Sequence, residues 1–267
     1  MTSRTNKKRQ LELKKTRGRG STSEFKSLSP FSNEEELDFW GNQIAEHMQF
    51  IYSGLVESDL IEQNNLEKYL DDNIFGLRDE SLDYYQRWID ILESIKIGYD
   101  ENENALFLID ETLNYQNKIL GALDQSIFIG YLYPSLIEHM NEETTYLQNK
   151  LMGQGYNLEQ EIAFWIDHHK GETAVAEKQL DPKEKRISDA IRTYDEYLEK
   201  LGEDPSQIRD YKDMEYVLQE YDKLGKSLLN KNIKGKVLSI TPITLIEHAI
   251  REGKRAQQIF KWFNSQT

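Results

Sequence analysis

The sequence contains no cysteine. This absence excludes disulfides, thiolate catalysis, Cys-ligated zinc and iron–sulfur clusters, and it agrees with the cytoplasmic location that we expect. Only 5 of the 267 residues are proline, whereas Leu, Ile, Glu, Lys and Gln are abundant, a composition that favours helices. Because no segment alternates apolar and polar residues as a strand does, we predict an all-α fold.

Long hydrophobic runs are also missing. No segment approaches the ~18 consecutive apolar residues of a membrane span, and the basic N-terminus is not followed by the apolar core of a secretory signal. We therefore expect no membrane partner. The sequence also lacks a Gly-x-Ser-x-Gly elbow and a phosphate-binding glycine loop, so a hydrolase is the weakest of the functions that we consider.

Positive charge is scarce outside the N-terminus. Residues 1–26 hold nine Lys/Arg and two Glu, a net charge of +7, whereas the whole chain carries −14. The remaining residues therefore carry −21 and repel nucleic acid. We interpret residues 1–31 as a basic disordered tail that keeps the protein soluble. Binding of nucleic acid or another polyanion through residues 1–26 is the alternative.

Helix signals divide the rest of the chain into two sets of four helices. Ser32 and Glu35 fit a capping box, Asn157 can cap a second start, and Pro134 and Pro242 fit first-turn positions. The predicted helices are 32–56, 64–97 (with a break near Gly76), 102–128, 134–152, 158–180, 183–201, 206–230 and 242–263. We predict two tandem four-helix bundles, formed by residues 32–153 and 154–267.

An internal repeat supports this division. Phe39-Trp40 recurs 125 positions later as Phe164-Trp165, and Leu136-Ile137-Glu138-His139 recurs 109 positions later as Leu245-Ile246-Glu247-His248. We interpret the Phe-Trp pairs as core anchors. At the second offset Glu143 matches Glu252, and Glu111 matches Glu220, 28 residues before each histidine. Repeated chemistry at repeated spacing indicates a shared role.

All five histidines fall in the first or fourth predicted helix of a half. His139 and Glu143 are four residues apart, as are His248 and Glu252, and also His168 and Glu172, so each pair lies on one helical face. First and fourth helices are neighbours in an up-down bundle, and imidazole and carboxylate suit Fe, Mn or Zn. Each pair alone is also a common surface pair, worth about 0.3 kcal/mol.

The recurrence predicts one metal site inside each bundle. The predicted ligands of the first site are His47, Glu111, His139 and Glu143. Those of the second are His168, Glu172, Glu220, His248 and Glu252. The second helix of each bundle supplies no evident ligand, and Asp71, Asp72, Glu80, Asp195 and Glu196 remain open candidates. The residues beside the histidines, including Glu46, point about 100° away and are not expected to bind the ion.

Residues 34–264 resemble the bacterial DUF2935 proteins in the Phe-Trp pairs, the Glu46-His47 dipeptide, Leu180-Asp181-Pro182 and the two Leu-Ile-Glu-His helices. The resemblance implies a duplicated ferritin-like bundle with bound metal. The chain departs from the family where Gly171-Glu172 stands in place of Glu-His, so His168 or His169 would replace the missing histidine. The pairing His-x-x-x-Glu also differs from the Glu-x-x-His of di-iron ferritins, which argues against iron storage.

Two functions follow from these observations. The first is a metal-binding protein, with Fe or Mn favoured, Zn compatible, and redox chemistry at the His/Glu sites. The alternative is a non-enzymatic structural or interaction protein whose basic tail docks a partner. The residues do not fix the oligomeric state.

Overall fold

The computed structural model describes residues 29–55, 76–125, 130–203 and 211–266, of which residues 202–203 and 211–213 are described in their backbone only. These residues form eight helices. They are α1 (Asn33–Gly54), α2 (Leu77–Lys96), α3 (Asn102–Asp124), α4 (Pro134–Leu151), α5 (Leu158–Lys178), α6 (Lys185–Glu203), α7 (Tyr211–Ile233) and α8 (Ile243–Ser265). Within these ranges extended pairing is limited to isolated bridges, Leu55 with Gly130 and Leu180 with Ser239. The predicted all-α fold is confirmed.

The helix starts follow the capping signals closely. The Ser32 hydroxyl accepts a hydrogen bond from the Glu35 amide, and the Glu35 carboxylate accepts one from the Ser32 amide, which completes the predicted capping box. Asn157 makes the same reciprocal pair with Gln160. Pro134 is the first residue of α4, as predicted. Pro242 instead precedes α8, which begins one residue later.

The helix ends differ more from prediction. Helix α1 ends at Gly54 rather than near residue 56, because Leu55 adopts an extended backbone and pairs with Gly130. Helix α7 continues to Ile233, and the turn comes at Gly235, whose φ of 59° suits glycine. The predicted basic tail up to residue 28, the predicted helical residues 64–75 and the start of the seventh helix at 206–210 lie outside the described residues.

Each half packs its first helix against its fourth. In the first half α1 contacts α2 and α4, and α3 contacts α4; in the second half α5 contacts α6 and α8, and α7 contacts α8. The two halves meet along α4 and α5. No helix among the described residues is long and apolar enough to cross a membrane.

The hydrophobic core is continuous between the halves. The fully buried rings of Trp40 and Trp165 lie with their centroids 5.9 Å apart, and Tyr146 stacks on Phe164 at 4.0 Å. The Phe-Trp pairs are thus core anchors, as predicted. Because one cluster of buried side chains contains residues from both halves, the boundary between residues 153 and 154 stays a prediction.

Buried ion pairs also join the halves. Arg255 of α8 contacts Glu36 of α1 at 2.8 Å, and Lys150 of α4 contacts Glu161 of α5 at 2.5 Å. Glu36 and Glu161 are equivalent in the repeat. Each half therefore provides a carboxylate that pairs with a basic side chain of the other half. Buried pairs of this kind specify position more than they add stability. They bring α1, α4, α5 and α8 together at the centre of the molecule.

Candidate metal centre

Seven histidine and glutamate side chains converge where α1, α4, α5 and α8 meet. They form two groups, and within each group one ligand atom per residue lies within 4.8 Å of every other. The first group contains His47, Glu143, His248 and Glu252, and the second contains His139, His168 and Glu172. Their side chains are at most 8% exposed, so the groups can hold a metal ion away from bulk solvent.

The first group combines ligands from both halves. The Nε2 atoms of His47 and His248 are 3.2 Å apart. The same His47 atom is 3.2 Å from Glu143 Oε2, and His248 Nε2 is 3.2 Å from Glu252 Oε1. Two imidazole nitrogens and two carboxylate oxygens therefore point at one place.

The second group lies beside it and also crosses between the halves. His139 Nε2 is 2.9 Å from Glu143 Oε1. His168 Nε2 is 3.2 Å from Glu252 Oε2 and 3.8 Å from Glu172 Oε2. Glu143 and Glu252 therefore each turn one oxygen toward the first group and the other oxygen toward the second.

The spacing of these atoms fits coordination. Two ligand atoms bonded to one ion at ~2.1 Å, with the angles of octahedral or tetrahedral sites, are about 3.0–3.4 Å apart. Most of the separations between the facing nitrogen and oxygen atoms are 2.9–3.2 Å. A cation between these atoms would meet ordinary bond lengths without a large movement of the side chains.

The hydrogen bonds of the carboxylates are incomplete. Both oxygens of Glu143 and Oε1 of Glu252 are buried, and the polar atoms that face them at 2.9–3.2 Å are imidazole nitrogens, which donate a hydrogen bond only when protonated. A buried carboxylate without hydrogen bonds costs on the order of several kcal/mol unless a cation compensates it. The donor set, the spacing and these unsatisfied oxygens all fit a bound metal.

The pKa values of the buried groups also depend on the charges that face them. Burial disfavours the ionised form of Glu143, and Glu252 adds to this effect, but His47 and His139 outweigh both and lower the pKa of Glu143 to about 2. Burial also opposes the charged form of His248, yet Glu252 and Glu46 raise its pKa to about 10. Burial and the nearby Glu252 raise the pKa of Glu172 well above its ordinary value. The histidines that face Glu143 thus stabilise its ionised form, whereas burial and Glu252 favour the neutral form of Glu172.

Glu46 fixes the orientation of His248 from outside the cluster. Its Oε2 lies 2.8 Å from His248 Nδ1, and Arg251 contacts the same oxygen. A carboxylate on one ring nitrogen leaves the other nitrogen free to bind an ion. The sequence correctly indicates that Glu46 points away from the face of His47, but not that it reaches a histidine of the other half.

Gly171 lets α5 approach His139. A side-chain carbon at this position would overlap the His139 ring at Nδ1. Glycine inside a helix costs about 1 kcal/mol relative to alanine, so close packing against an imidazole explains its presence. The sequence showed Gly171 only as a departure from the family pattern.

Tyr221 is a neighbour of the cluster that the sequence did not reveal. Its hydroxyl donates a hydrogen bond to Glu172, and its ring stacks on His169 at 4.0 Å with the planes 8° apart. His169 belongs to neither group; burial and the adjacent His168 lower its pKa well below the ordinary value. The sequence left open whether His168 or His169 replaces the histidine that the family pattern has near Gly171-Glu172. Of these two, His168 is the one that faces the carboxylates.

Glu111 and Glu220 do not join the cluster, so this part of the prediction is corrected. Glu111 pairs with Arg87, and Glu220 lies 2.6 Å from Lys223. Both side chains are about one third exposed, because α3 and α7 turn them toward solvent and basic partners. The expected separate site in each bundle is also corrected, since each group takes side chains from both halves.

The open candidates from the second helices have other partners. Glu80 binds Lys118 at 2.8 Å, and Asp195 accepts a hydrogen bond from Thr173 at 3.3 Å. Glu196 is in neither group, and Asp71 and Asp72 lie outside the described residues.

The chain was compared with known proteins by sequence and by structure. No family model matches the sequence. The chain is 33% identical over 169 residues to uncharacterized protein L567 of Acanthamoeba polyphaga mimivirus, an alignment that covers 61% of this chain and 52% of that protein. It thus spans about half the length of this relative. The crystal structure of an uncharacterised protein from Bacillus cereus G9241 superposes with a TM-score of 0.70 at 16% identity, covering 85% of this chain and 91% of the other. This likeness shows a shared helical fold.

Proposed function

We propose that the protein binds two transition-metal ions in one centre shared by its two halves. The observation that carries this proposal is the position of Glu143 and Glu252, each of which offers one oxygen to each histidine group. A carboxylate in this position can bridge two ions, as in two-metal enzymes whose ions are about 3.5–4 Å apart. A single ion bound by the first group would leave the other oxygen of each carboxylate facing only the histidines of the second group.

Each ion has its own set of ligands. The first would be held by His47, His248, Glu143 Oε2 and Glu252 Oε1. The second would be held by His139, His168, Glu172 and the remaining oxygens of the two bridging carboxylates. Imidazole and carboxylate donors without sulfur suit iron or manganese, with zinc also compatible.

Bound iron or manganese would supply redox chemistry, which makes an oxidoreductase our proposal for the activity. The chain itself contributes burial and orientation. Glu46 keeps Nε2 of His248 turned to the centre, and Tyr221 holds one oxygen of Glu172. Aliphatic side chains line the space beside the cluster.

Elemental analysis of the purified full chain tests this proposal. The protein is expressed with iron, manganese and zinc supplied, and the metal content is compared with that of a Glu143→Gln/Glu252→Gln double variant. We expect about two ions per chain in the natural protein, as in other two-metal sites, and a loss of most of this metal in the variant. Less than about a tenth of an ion per chain in the natural protein would reject the proposal.

A structural role is the second candidate, and the contacts of 3.2 Å from His168 to Glu252 and from His47 to Glu143 favour it. Protonated histidines and ionised glutamates would then tie the halves together without metal. In that case the same double variant would lower the thermal midpoint of a protein that never contained metal. The elemental analysis therefore separates the two functions.

A further inference from the structure

An aliphatic pocket opens directly onto the metal centre. Its lining comes mainly from α4, α5, α6, α7 and α8, and it includes His47 of α1, His139 and His248 together with Glu172 and Tyr221. The rest of the lining is mainly aliphatic, including Met140, Val175, Ile191, Leu228, Ile246 and Ile250. The metal centre thus has an apolar approach on one side.

The size of the pocket restricts what it can hold. Its free volume is about 70 Å³. One water molecule takes about 30 Å³ in the liquid, and an apolar cavity of about 150 Å³ holds benzene or xenon. A volume between these limits is enough for a molecule of a few heavy atoms.

The polarity of the pocket restricts the occupant further. The Thr173 hydroxyl in its wall donates to the His169 carbonyl at 3.0 Å, Thr241 Oγ1 is bonded to Ser239 at 2.6 Å, and the Tyr221 hydroxyl is bonded to Glu172. These groups already have partners, whereas an ordered water needs two to four polar neighbours. Away from the histidines and Glu172, the pocket therefore favours an uncharged, apolar molecule over water or an ion.

We propose that this pocket holds dioxygen beside the metal centre. Dioxygen is small, uncharged and apolar, and it is an oxidant that iron or manganese can use. The assignment of dioxygen rests on the proposed function, whereas the pocket's capacity for a small apolar molecule rests on its shape and lining alone. The two can therefore be tested separately.

Xenon is the probe for the pocket, and it is used on the metal-free full chain. Binding is followed by xenon-129 NMR and located in crystals pressurised with xenon. Ala176, which lines the pocket from α5, is replaced by Leu to fill it. Ala174→Leu is the matched control, because Ala174 lies on the same helix and does not line the pocket. We expect xenon in the natural protein and the control, and at least a tenfold weaker signal in the filled variant.

A filled core can be destabilised by overpacking, so Leu228→Phe on α7 serves as a second filling variant. The pocket assignment is overturned if xenon binds elsewhere in the crystal. It is also overturned if xenon binds equally well to Ala176→Leu or Leu228→Phe while that variant is folded. Displacement of xenon by hexane at stoichiometric concentration would show room for a chain and would overturn the small-molecule assignment.

Dioxygen itself is tested with the iron(II)-loaded full chain and an oxygen electrode. We expect Ala176→Leu to slow dioxygen uptake several-fold while iron content stays at the level of Ala174→Leu. Unchanged uptake in a variant that has lost xenon binding overturns the role of dioxygen. If the natural protein binds xenon but no iron, the proposed function fails and the dioxygen assignment fails with it, while the apolar site stands.

Discussion

His47 and His248 are 201 residues apart in sequence, yet their Nε2 atoms lie 3.2 Å from each other at the centre of the molecule. One belongs to the first half of the repeat and the other to the second. Neither half holds a complete group, so the contact between the halves and the metal centre are parts of the same structure.

The bridging carboxylates give the sharpest prediction. Because Glu143 and Glu252 each face both groups, either single change to Gln should weaken binding of both ions, and elemental analysis should show well under one ion per chain. Glu111→Gln and Glu220→Gln are the matched controls, since these carboxylates pair with surface cations. Retention of both ions by Glu143→Gln would contradict a bridging role.

Loss of the His139 side chain should weaken the binding of one ion more than that of the other. His139 faces only the second group, so His139→Ala should leave about one ion per chain in a two-metal site. In the manganese form, electron paramagnetic resonance should change from a coupled pair to an isolated ion. An unchanged spectrum with full occupancy would show that His139 is not a ligand.

Gly171→Ala should disturb the centre without removing a ligand. The added methyl group would overlap His139, so we expect reduced metal content. Gly121→Ala is the control, because nothing lies within 4 Å of a side-chain carbon there. The control should keep its metal and gain about 0.5–1 kcal/mol in the free energy of unfolding, as a helical Gly→Ala change does. Equal metal content in the two variants would refute the packing argument.

Removal of the metal should destabilise the protein. An ion that binds only the folded state adds about 2.7 kcal/mol when its free concentration is 100 times its dissociation constant. Treatment with a chelator should therefore lower the thermal midpoint of the natural protein by several degrees. The Glu143→Gln variant should show little further loss, and a chelator effect of equal size in both proteins would place the stabilising ion elsewhere.

The fold was predictable because its signals are local. The capping residues Ser32 and Asn157 and the helix-starting Pro134 act within one turn of the helix that they begin. The end of α1 could not be predicted in this way, because Leu55 leaves the helix to pair with Gly130, a residue that is distant in sequence.

The site was predictable only as far as single helices determine it. The spacing of His139 and Glu143 fixes a common face, and the repeat shows that His248 and Glu252 share it. The sequence does not say which helix that face meets, so it could not show that His47 meets a histidine of the other half. Recurrence also misled: Glu111 and Glu220 occupy equivalent positions but make surface ion pairs.

The exchange of ligands between the halves has a consequence for symmetry. A protein built from one half alone could assemble this centre only as a homodimer about a twofold axis, and its two ion positions would then be identical. Fusion of the copies into one polypeptide removes that constraint. His47 of one copy corresponds to Glu172 of the other, and Gln43 to His168, so the two coordination environments have become chemically distinct.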